Sequence, residues 1–598
     1  MRKLFISVLI FAATTAALAS DTAKTAIMPP LQPWDGASRK LVAAKKDPWI
    51  TPAEKADFRT TPTFDETVAW LQKLVAAAPE LKMISIGKSG EGRDIWLVIA
   101  SKERAFTPEA LRAAGKPTIL AQCGIHAGEI DGKDAGLMLL RDMTLRGKKD
   151  LLDKANFLFI PILNVDGHER ASRYTRINQR GPENAGWRTN AQNLNVNRDF
   201  AKLDTPEVRA VVRAINEWQP DLYFDIHVTD GADYQYDITY GWNGPIPHSP
   251  SIANWLNAQF RPAADAGLLA AGHVPGILIY TVNTDPSRGI ADWFADPRFS
   301  NGYGDARHLP TILVENHSLK PYDQRVLGTY VLLESALRIV GKSSDTLRAA
   351  IEEDRQSRVA TLPLAYTDDE TPSKTIDFAG VGYRLVPSPI SGQIHVEWTG
   401  QPITMKMPII ASSKLAVSAP RPKAYWIPAA WHDVIDRLAI HGIHFERIAQ
   451  PRSVNVEMYR MSAVKLGTES YEGHVMVTAT ATLEKRREIF AAGSVRVPTD
   501  QPLGDLAMLL LEPASPDSFF QWGFFNSTLQ RTEYVEEYIM EPMAAKMMAE
   551  DPALAKEFEQ KLIDDAAFRS NPEGRLQWFY KKTPFYDERA MLYPVGRE

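Results

Sequence analysis

The chain has 598 residues, of which 44% are hydrophobic and 24% charged. That length exceeds one ordinary domain, and the composition is that of soluble globular protein with ample apolar material for cores. The formal charge of −5, with no basic run and no aromatic-basic motif, argues against nucleic acid as a partner.

The first element is a secretory signal over residues 1–19. Arg2 and Lys3 form its charged start, Leu4 to Ala16 its apolar stretch, and Ala17-Leu18-Ala19 its small-x-small cleavage site. An uncleaved anchor helix is the alternative, and the short apolar stretch with its cleavage site favours removal. No later stretch is apolar for long enough to span a bilayer, and no Cys follows the cleavage site to accept a lipid. A secreted or periplasmic protein without stable membrane insertion is therefore expected. The single cysteine, Cys123, excludes disulfides within the chain and reads as a small buried apolar residue.

Residues 20–62 are Pro-rich and weakly patterned, an extended lead-in. Helical spacing runs from Thr63 to Ala78, opened by a capping box of Thr63 and Glu66. Met83–Ile86 and Ile95–Ala100 read as strands joined by the Gly-rich turn Ser89–Arg93. Further strand-like runs fall at Thr118–Gln122, Phe157–Leu163, Leu222–Ile226, Ile277–Val282 and Thr311–Val314. Helical patterns lie between them at Ala135–Thr144, Pro206–Trp218 and Ile252–Ala271, and Tyr322–Val340 reads as a closing helix. This alternation predicts an α/β domain over 63–345, a sheet flanked by helices. A polar linker is expected over 346–375. Residues 376–598 form a second domain of unknown role, β-rich to about residue 500 and then helical near 533–549 and 552–562. Its aromatics, including Tyr425, Trp426, Trp431, Phe519, Phe520 and Trp522, read as core packing. If that domain alone binds substrate, deleting it should raise KM with little effect on metal content.

Chemistry concentrates where the strands end. His126 and Glu129 sit three residues apart just after an apolar run, and imidazole and carboxylate are good ligands for Zn²⁺. His227 ends a second such run. Strand ends on one edge of an α/β sheet converge, so the three can meet at one ion and leave a position open. Glu315 ends the strand Thr311–Val314 and can act as a general base, or merely cap a turn as a rim carboxylate. His317 competes with it and is read as structural. Arg188 and the pair Asn197-Arg198 lie in a loop-like segment between strands. Arg suits a developing oxyanion or a carboxylate, though each arginine taken singly is read as a surface residue.

In that order the motifs Ile86-Gly87-Lys88-Ser89 with Gly92-Arg93, His126-x-x-Glu129, Asn164-Val165-Asp166-Gly167, Trp187-Arg188, Asn197-Arg198, His227 and Glu315 resemble the zinc carboxypeptidases of the carboxypeptidase A type, over about residues 63–340. The resemblance implies a mixed, mostly parallel sheet flanked by helices. It implies one zinc ion on His126, Glu129 and His227, with Glu315 as catalytic base activating a water on the metal. It further implies Arg188 on the scissile carbonyl, and Asn197 and Arg198 on the terminal carboxylate of a peptide substrate. A mobile tyrosine closes the family's site. Tyr280 fits that role, from its spacing to Ser287 and Asp292-Trp293, with Tyr303 as rival. Ala291 would fall near the floor of the specificity pocket, where a small neutral residue disfavours basic side chains; Asp285 or Arg288 could enter instead.

Asn195 departs from the resemblance. The family's usual residue there is Asp, which orients the first zinc histidine; an amide oxygen can orient the ring but adds no charge. Asp225, two residues before His227, is a candidate to compensate. The expected activity is thus that of a secreted zinc metallocarboxypeptidase. The alternatives are a same-fold amide hydrolase acting on cell-wall peptides or acylated amino acids, and a non-catalytic metal- or peptide-binding protein.

Overall fold

The computed structural model describes residues 27–598 apart from 230, 284 and 370, so the signal segment 1–19 lies outside the described residues. The capping box expected at Thr63 forms, with both of its reciprocal hydrogen bonds, and opens helix α1 (Phe64–Ala77). Strands β1 (Leu81–Lys88) and β2 (Asp94–Ala100) then pair antiparallel across the Gly-rich turn. The next two strands, β3 (Thr118–Cys123) and β4 (Asn156–Ile160), are buried along their whole length and flank helix α2 (Asp131–Leu145). Helix α3 (Pro206–Trp218) leads into β5 (Leu222–Thr229), buried in the same way. Burial on both faces is why these strands read as unbroken apolar runs.

The sheet is completed by β6 (Ile238–Gly241), β7 (Pro275–Gly276) and, beyond a short strand β8 (Ile290–Asp292) that belongs elsewhere, β9 (Thr311–His317). Its order is β1-β2-β4-β3-β5-β9-β6-β7. The β4/β3, β3/β5, β5/β9 and β6/β7 pairs are parallel, and β1/β2, β2/β4 and β6/β9 are antiparallel. This is the mixed, mostly parallel α/β sheet that the resemblance implied.

Three segments differ from their sequence patterns. The run Ile277–Val282 adds no strand to the sheet beyond Pro275–Gly276. Its Ile279 instead packs with Phe378, Met407 and Ile409 from the later chain. The closing helix α4 (Tyr322–Gln356) runs well past Val340 and bends at Ser343, where φ and ψ leave the helical region. The lead-in, expected to be merely extended, is fastened to the domain. Thr51 and Glu54 form a second capping box, and Glu54 Oε2 accepts from the buried Arg141 at 2.5 Å. Ser38, His273 and Asp237 form a buried hydrogen-bonded row, 2.8 Å and 2.7 Å. Its hydroxyl has no access to solvent, so the row acts as a latch.

Beyond α4, β10 (Thr361–Thr367), β11 (Lys374–Pro387), β12 (Ile394–Ala411) and β13 (Lys414–Pro420) form two antiparallel pairs. The end of β12 also pairs in parallel with β8, tying Ile409–Ala411 to Ile290–Asp292. A six-stranded antiparallel sheet follows, built from β14 (Ala424–Ile427), β15 (Glu446–Arg447), β16 (Arg452–Leu466), β17 (Val477–Phe490), β18 (Val495–Pro498) and β19 (Gly596–Arg597). Helices α5 (Glu537–Glu550) and α6 (Pro552–Asp564) come where helical spacing placed them. Among the described residues, no helix is long and apolar enough to cross a membrane.

Alternate residues of the central strands feed different cores. Val98, Ile119, Phe157 and Phe224 face a cluster shared with α2, α4 and the lead-in. Leu97, Leu120, Leu158 and Tyr223 face another, which contains α3 and continues into Leu506–Leu511, Phe519 and Phe520. The C-terminal module therefore packs directly onto one side of the α/β domain.

Candidate metal centre

His126 and Glu129 lie in the turn that follows β3, closed by a hydrogen bond from Glu129 N to His126 O at 2.8 Å. His227 lies near the end of β5, adjacent to β3 in the sheet. The imidazole Nδ1 atoms of His126 and His227 are 3.1 Å apart, and Glu129 Oε2 lies 3.2 Å and 2.9 Å from them. All three residues are buried, and they form a group able to hold a metal ion.

The partners on the far side of each ring fix its tautomer. Asn195 Oδ1 already accepts from Asn197 N at 3.1 Å, so it must also accept from His126 Nε2 at 2.9 Å. Asp225 lies on the same side of β5 as His227, two residues away, and its carboxylate accepts from His227 Nε2 at 2.8 Å. Both Nδ1 atoms therefore face Glu129 and each other without the proton of the neutral ring. Such convergence of acceptors calls for positive charge between them, and the imidazole–carboxylate donor set suits Zn²⁺. Asp225 thus supports His227; the ring of His126 rests on the neutral Asn195.

Electrostatics agree with that placement. Burial acts to lower His126 and outweighs the pull of Glu129, leaving it at about 4, a neutral ring. Burial would raise Glu129, but His126, Arg176 and the hydrogen bonds of the two histidines hold it well below the carboxylate range. Burial would lower His227, yet Asp225 and Glu129 raise it well above an ordinary imidazole. The site is thus built to hold a positive charge, which a divalent ion supplies more fully than a proton.

Glu315 stands directly beside His227 in the β5/β9 register. Burial raises its carboxyl to about 8; His227 pulls it down, while Glu129 and Asp225 push it up. Positive charge at the triad acts to lower it. The rival His317 donates from Nε2 to Asp233 Oδ1 at 3.0 Å and stacks on Tyr234, so it is structural.

Arg188 reaches Glu129 Oε1 at 3.4 Å, with its side chain 40% exposed and so open to a ligand. Arg198 packs over the Phe299 ring at 4.3 Å and donates to Asn197 O at 2.8 Å. Asn197 is buried: its Oδ1 accepts from Ser300 N at 3.0 Å and its Nδ2 lies 3.3 Å from His227. It adjoins Arg198, beside which it was expected to hold a substrate carboxylate. Tyr280 packs edge-on against Trp293, and burial with the nearby Glu315 raises its hydroxyl well above the usual range. Its rival Tyr303 is buried, hydrogen-bonded to His441 at 3.0 Å and to Arg307. Ala291 lies in β8 opposite Ile410, and Asp285 accepts from Tyr383 Oη at 2.8 Å.

The other motifs serve as bracing. Asp166 accepts from Ser89 Oγ at 2.7 Å, Glu91 N at 2.9 Å and Arg93 Nη1 at 2.6 Å, which joins the Ser89–Arg93 turn to the Asn164–Gly167 segment. Sequence reasoning missed Arg176, whose guanidinium lies 2.9 Å from Glu129 Oε1. It stands in an unpatterned loop. The signal for it is Gly128, where a Cβ would come within 2.7 Å of Arg176 Cγ and 2.6 Å of Gly186 O.

With this geometry in place, three comparisons bear on the chain. A family model for zinc carboxypeptidase matches residues 67–293. Carboxypeptidase 2 of Trichophyton tonsurans is 23% identical over 494 residues, covering 80% of this chain and 86% of that protein. Carboxypeptidase 2 of Trichophyton rubrum is 24% identical over 487 residues, covering 78% and 85%. At those lengths the similarity runs into the C-terminal module. Among solved structures, the carboxypeptidase A of Helicoverpa armigera is 19% identical over 49% of this chain and 75% of that one, with a TM-score of 0.36.

Proposed function

We propose, from the premise that this chain carries a zinc carboxypeptidase domain and is a zinc-dependent peptide hydrolase, that it is exported and removes C-terminal residues from peptides. The observation that carries this reading is the convergence of His126, Glu129 and His227, with Glu315 beside His227 and two arginines, Arg188 and Arg198, nearby.

His126 Nδ1, Glu129 Oε2 and His227 Nδ1 would hold one Zn²⁺, which supplies Lewis acidity to the scissile carbonyl and to the attacking water. Glu315 takes the proton of that water and delivers it to the departing amine. Arg188 turns from Glu129 toward the oxyanion that develops on the carbonyl. Arg198 holds the terminal carboxylate, its guanidinium plane kept in place by Phe299. Tyr280 closes over the bound residue. Export rests on the signal pattern of residues 1–19.

A set of peptides differing only in a free or amidated C-terminus tests the reading. Cleavage of the free acids alone, lost on chelation and restored by Zn²⁺, is the expected result. Equal cleavage of amidated peptides would remove Arg198 from its role and move the substrate to another class of amide. No turnover by the zinc-loaded protein would leave only a binding role.

A further inference from the structure

The hairpin between β16 and β17 carries a tight turn at Tyr471-Glu472-Gly473-His474. Tyr471 and His474 exchange backbone hydrogen bonds of 2.8 Å and 3.0 Å, and Glu472 and Gly473 have φ of 48° and 82°. Two positive φ values define the primed hairpin turn, whose first position favours Asn, Asp or Gly. Glutamate is a poor choice there on local grounds, because a residue with a long side chain seldom adopts left-handed backbone. What it gains is outside the turn: Glu472 Oε2 accepts from the backbone N–H of Asn195 at 2.7 Å.

The turn is fixed on both sides of that contact. His474 Nε2 bonds Asp204 Oδ2 at 2.7 Å, and Asp204 also holds Lys202 and Arg437. Gly473 lies against Leu194, where a Cβ would approach to 3.3 Å. Tyr471 stacks parallel to Trp522, with ring centroids 5.8 Å apart. From Asn195 the path continues without a break. Its side-chain oxygen takes the hydrogen bonds of His126 Nε2 and Asn197 N, and Asn197 Oδ1 in turn accepts from Ser300 N.

Resting on the zinc reading above, we infer that Glu472 is a positioning residue for the metal centre, reaching into it from the C-terminal module. It holds the Asn195 backbone so that the Asn195 amide can orient His126. Its carboxylate also stands behind Asn195, whose own side chain is neutral. An oriented, more basic imidazole binds zinc more tightly. The C-terminal module is on this account part of the metal centre.

Zinc affinity of the full chain, measured by competition with a chromogenic chelator, tests this without peptide substrate. Residues that orient metal ligands typically affect affinity by ~10–100-fold, and Glu472 acts through one intermediary. Glu472→Ala is therefore expected to weaken zinc by about tenfold. Glu472→Gln, which keeps an acceptor and loses the charge, should weaken it by about threefold, with turnover recovered at saturating zinc. Unchanged zinc affinity in Glu472→Gln and Glu472→Ala would overturn the inference, as would a lower melting temperature with zinc affinity intact. Should Glu472→Ala fail to fold, the isosteric Glu472→Gln decides alone. A wild-type protein that takes up no zinc sinks the metal reading itself, and that failure is distinguishable from the others.

Discussion

The two sides of the central sheet are covered by different kinds of chain. One side is covered by α2, α4 and the lead-in, of which α2 directly follows β3 and α4 follows β9. The other carries α3 but closes only with Leu506–Leu511, Phe519 and Phe520, far along the sequence. The first arrangement is the ordinary strand–helix unit. The second makes the C-terminal module a structural part of the α/β domain. Deleting the module would then do more than raise KM. A chain ending near residue 345 is expected to lose its soluble fold, because the apolar residues on that side, Leu120 and Val212 among them, would face water. Soluble, zinc-loaded protein after such truncation would show that the shared core is dispensable.

Glu315 and the Arg298–Asp517 pair should respond to mutation in opposite ways. Glu315→Gln would remove the proposed base and leave the three proposed ligands in place. Turnover should fall by roughly 10²–10⁴-fold, with zinc content and melting temperature near those of wild type. Near-normal turnover would transfer the role of base to another group. At the junction, Arg298 Nε meets the buried Asp517 at 2.8 Å, and Arg298 N donates to the same carboxylate. Asp517→Ala would leave a mostly buried guanidinium with only the longer contact to Asp296 at 3.8 Å, a loss of up to about 3–5 kcal/mol. A marked drop in melting temperature is expected, with zinc affinity at the triad preserved in the folded fraction. If Asp517→Ala abolished zinc binding in folded protein, this ion pair, like Glu472, would have to be counted among the supports of the centre.

Much of the centre was legible because buried strands end on it. Three apolar runs stop at or next to His126, His227 and Glu315, and a parallel sheet brings such ends to one edge. What escaped depends on contacts that no local pattern carries. Arg176 sits in a loop without periodicity, and Glu472 reaches Asn195 only through the placement of a distant hairpin. The contact of Asn197 Oδ1 with Ser300 N, 103 residues along the chain, likewise has no local signal. The closing helix was read only as far as Val340, whereas it continues to Gln356 with a bend at Ser343. Ile277–Val282 looked like a strand because its Ile279 is needed for packing against Phe378 and Met407, not for the sheet.

The smallest expected effect concerns the junction's response to acid. His441 is fully buried where the two modules meet; its Nε2–H donates to Ala201 O at 3.1 Å, and its Nδ1 accepts from Tyr303 Oη at 3.0 Å. Burial lowers its pKa to about 3, with Arg307 and Arg437 acting in the same direction. Between that value and the ordinary 6.5, the unfolded chain binds a proton that the folded chain refuses. Stability linked to His441 is thus complete above the unfolded value and declines as pH falls toward 3, by at most about 1.4 kcal/mol per pH unit. His308 and His317, each lowered to about 4 by burial, act in the same sense. The share of His441 can be isolated by comparing melting temperatures at pH 7.5 and 5. His441→Gln should melt lower than wild type at pH 7.5, having lost a matched pair of hydrogen bonds, but should fall less on acidification. An equal fall in both proteins would place the acid sensitivity at other buried groups, His308 and His317 among them, away from the contact between Tyr303 and the C-terminal module.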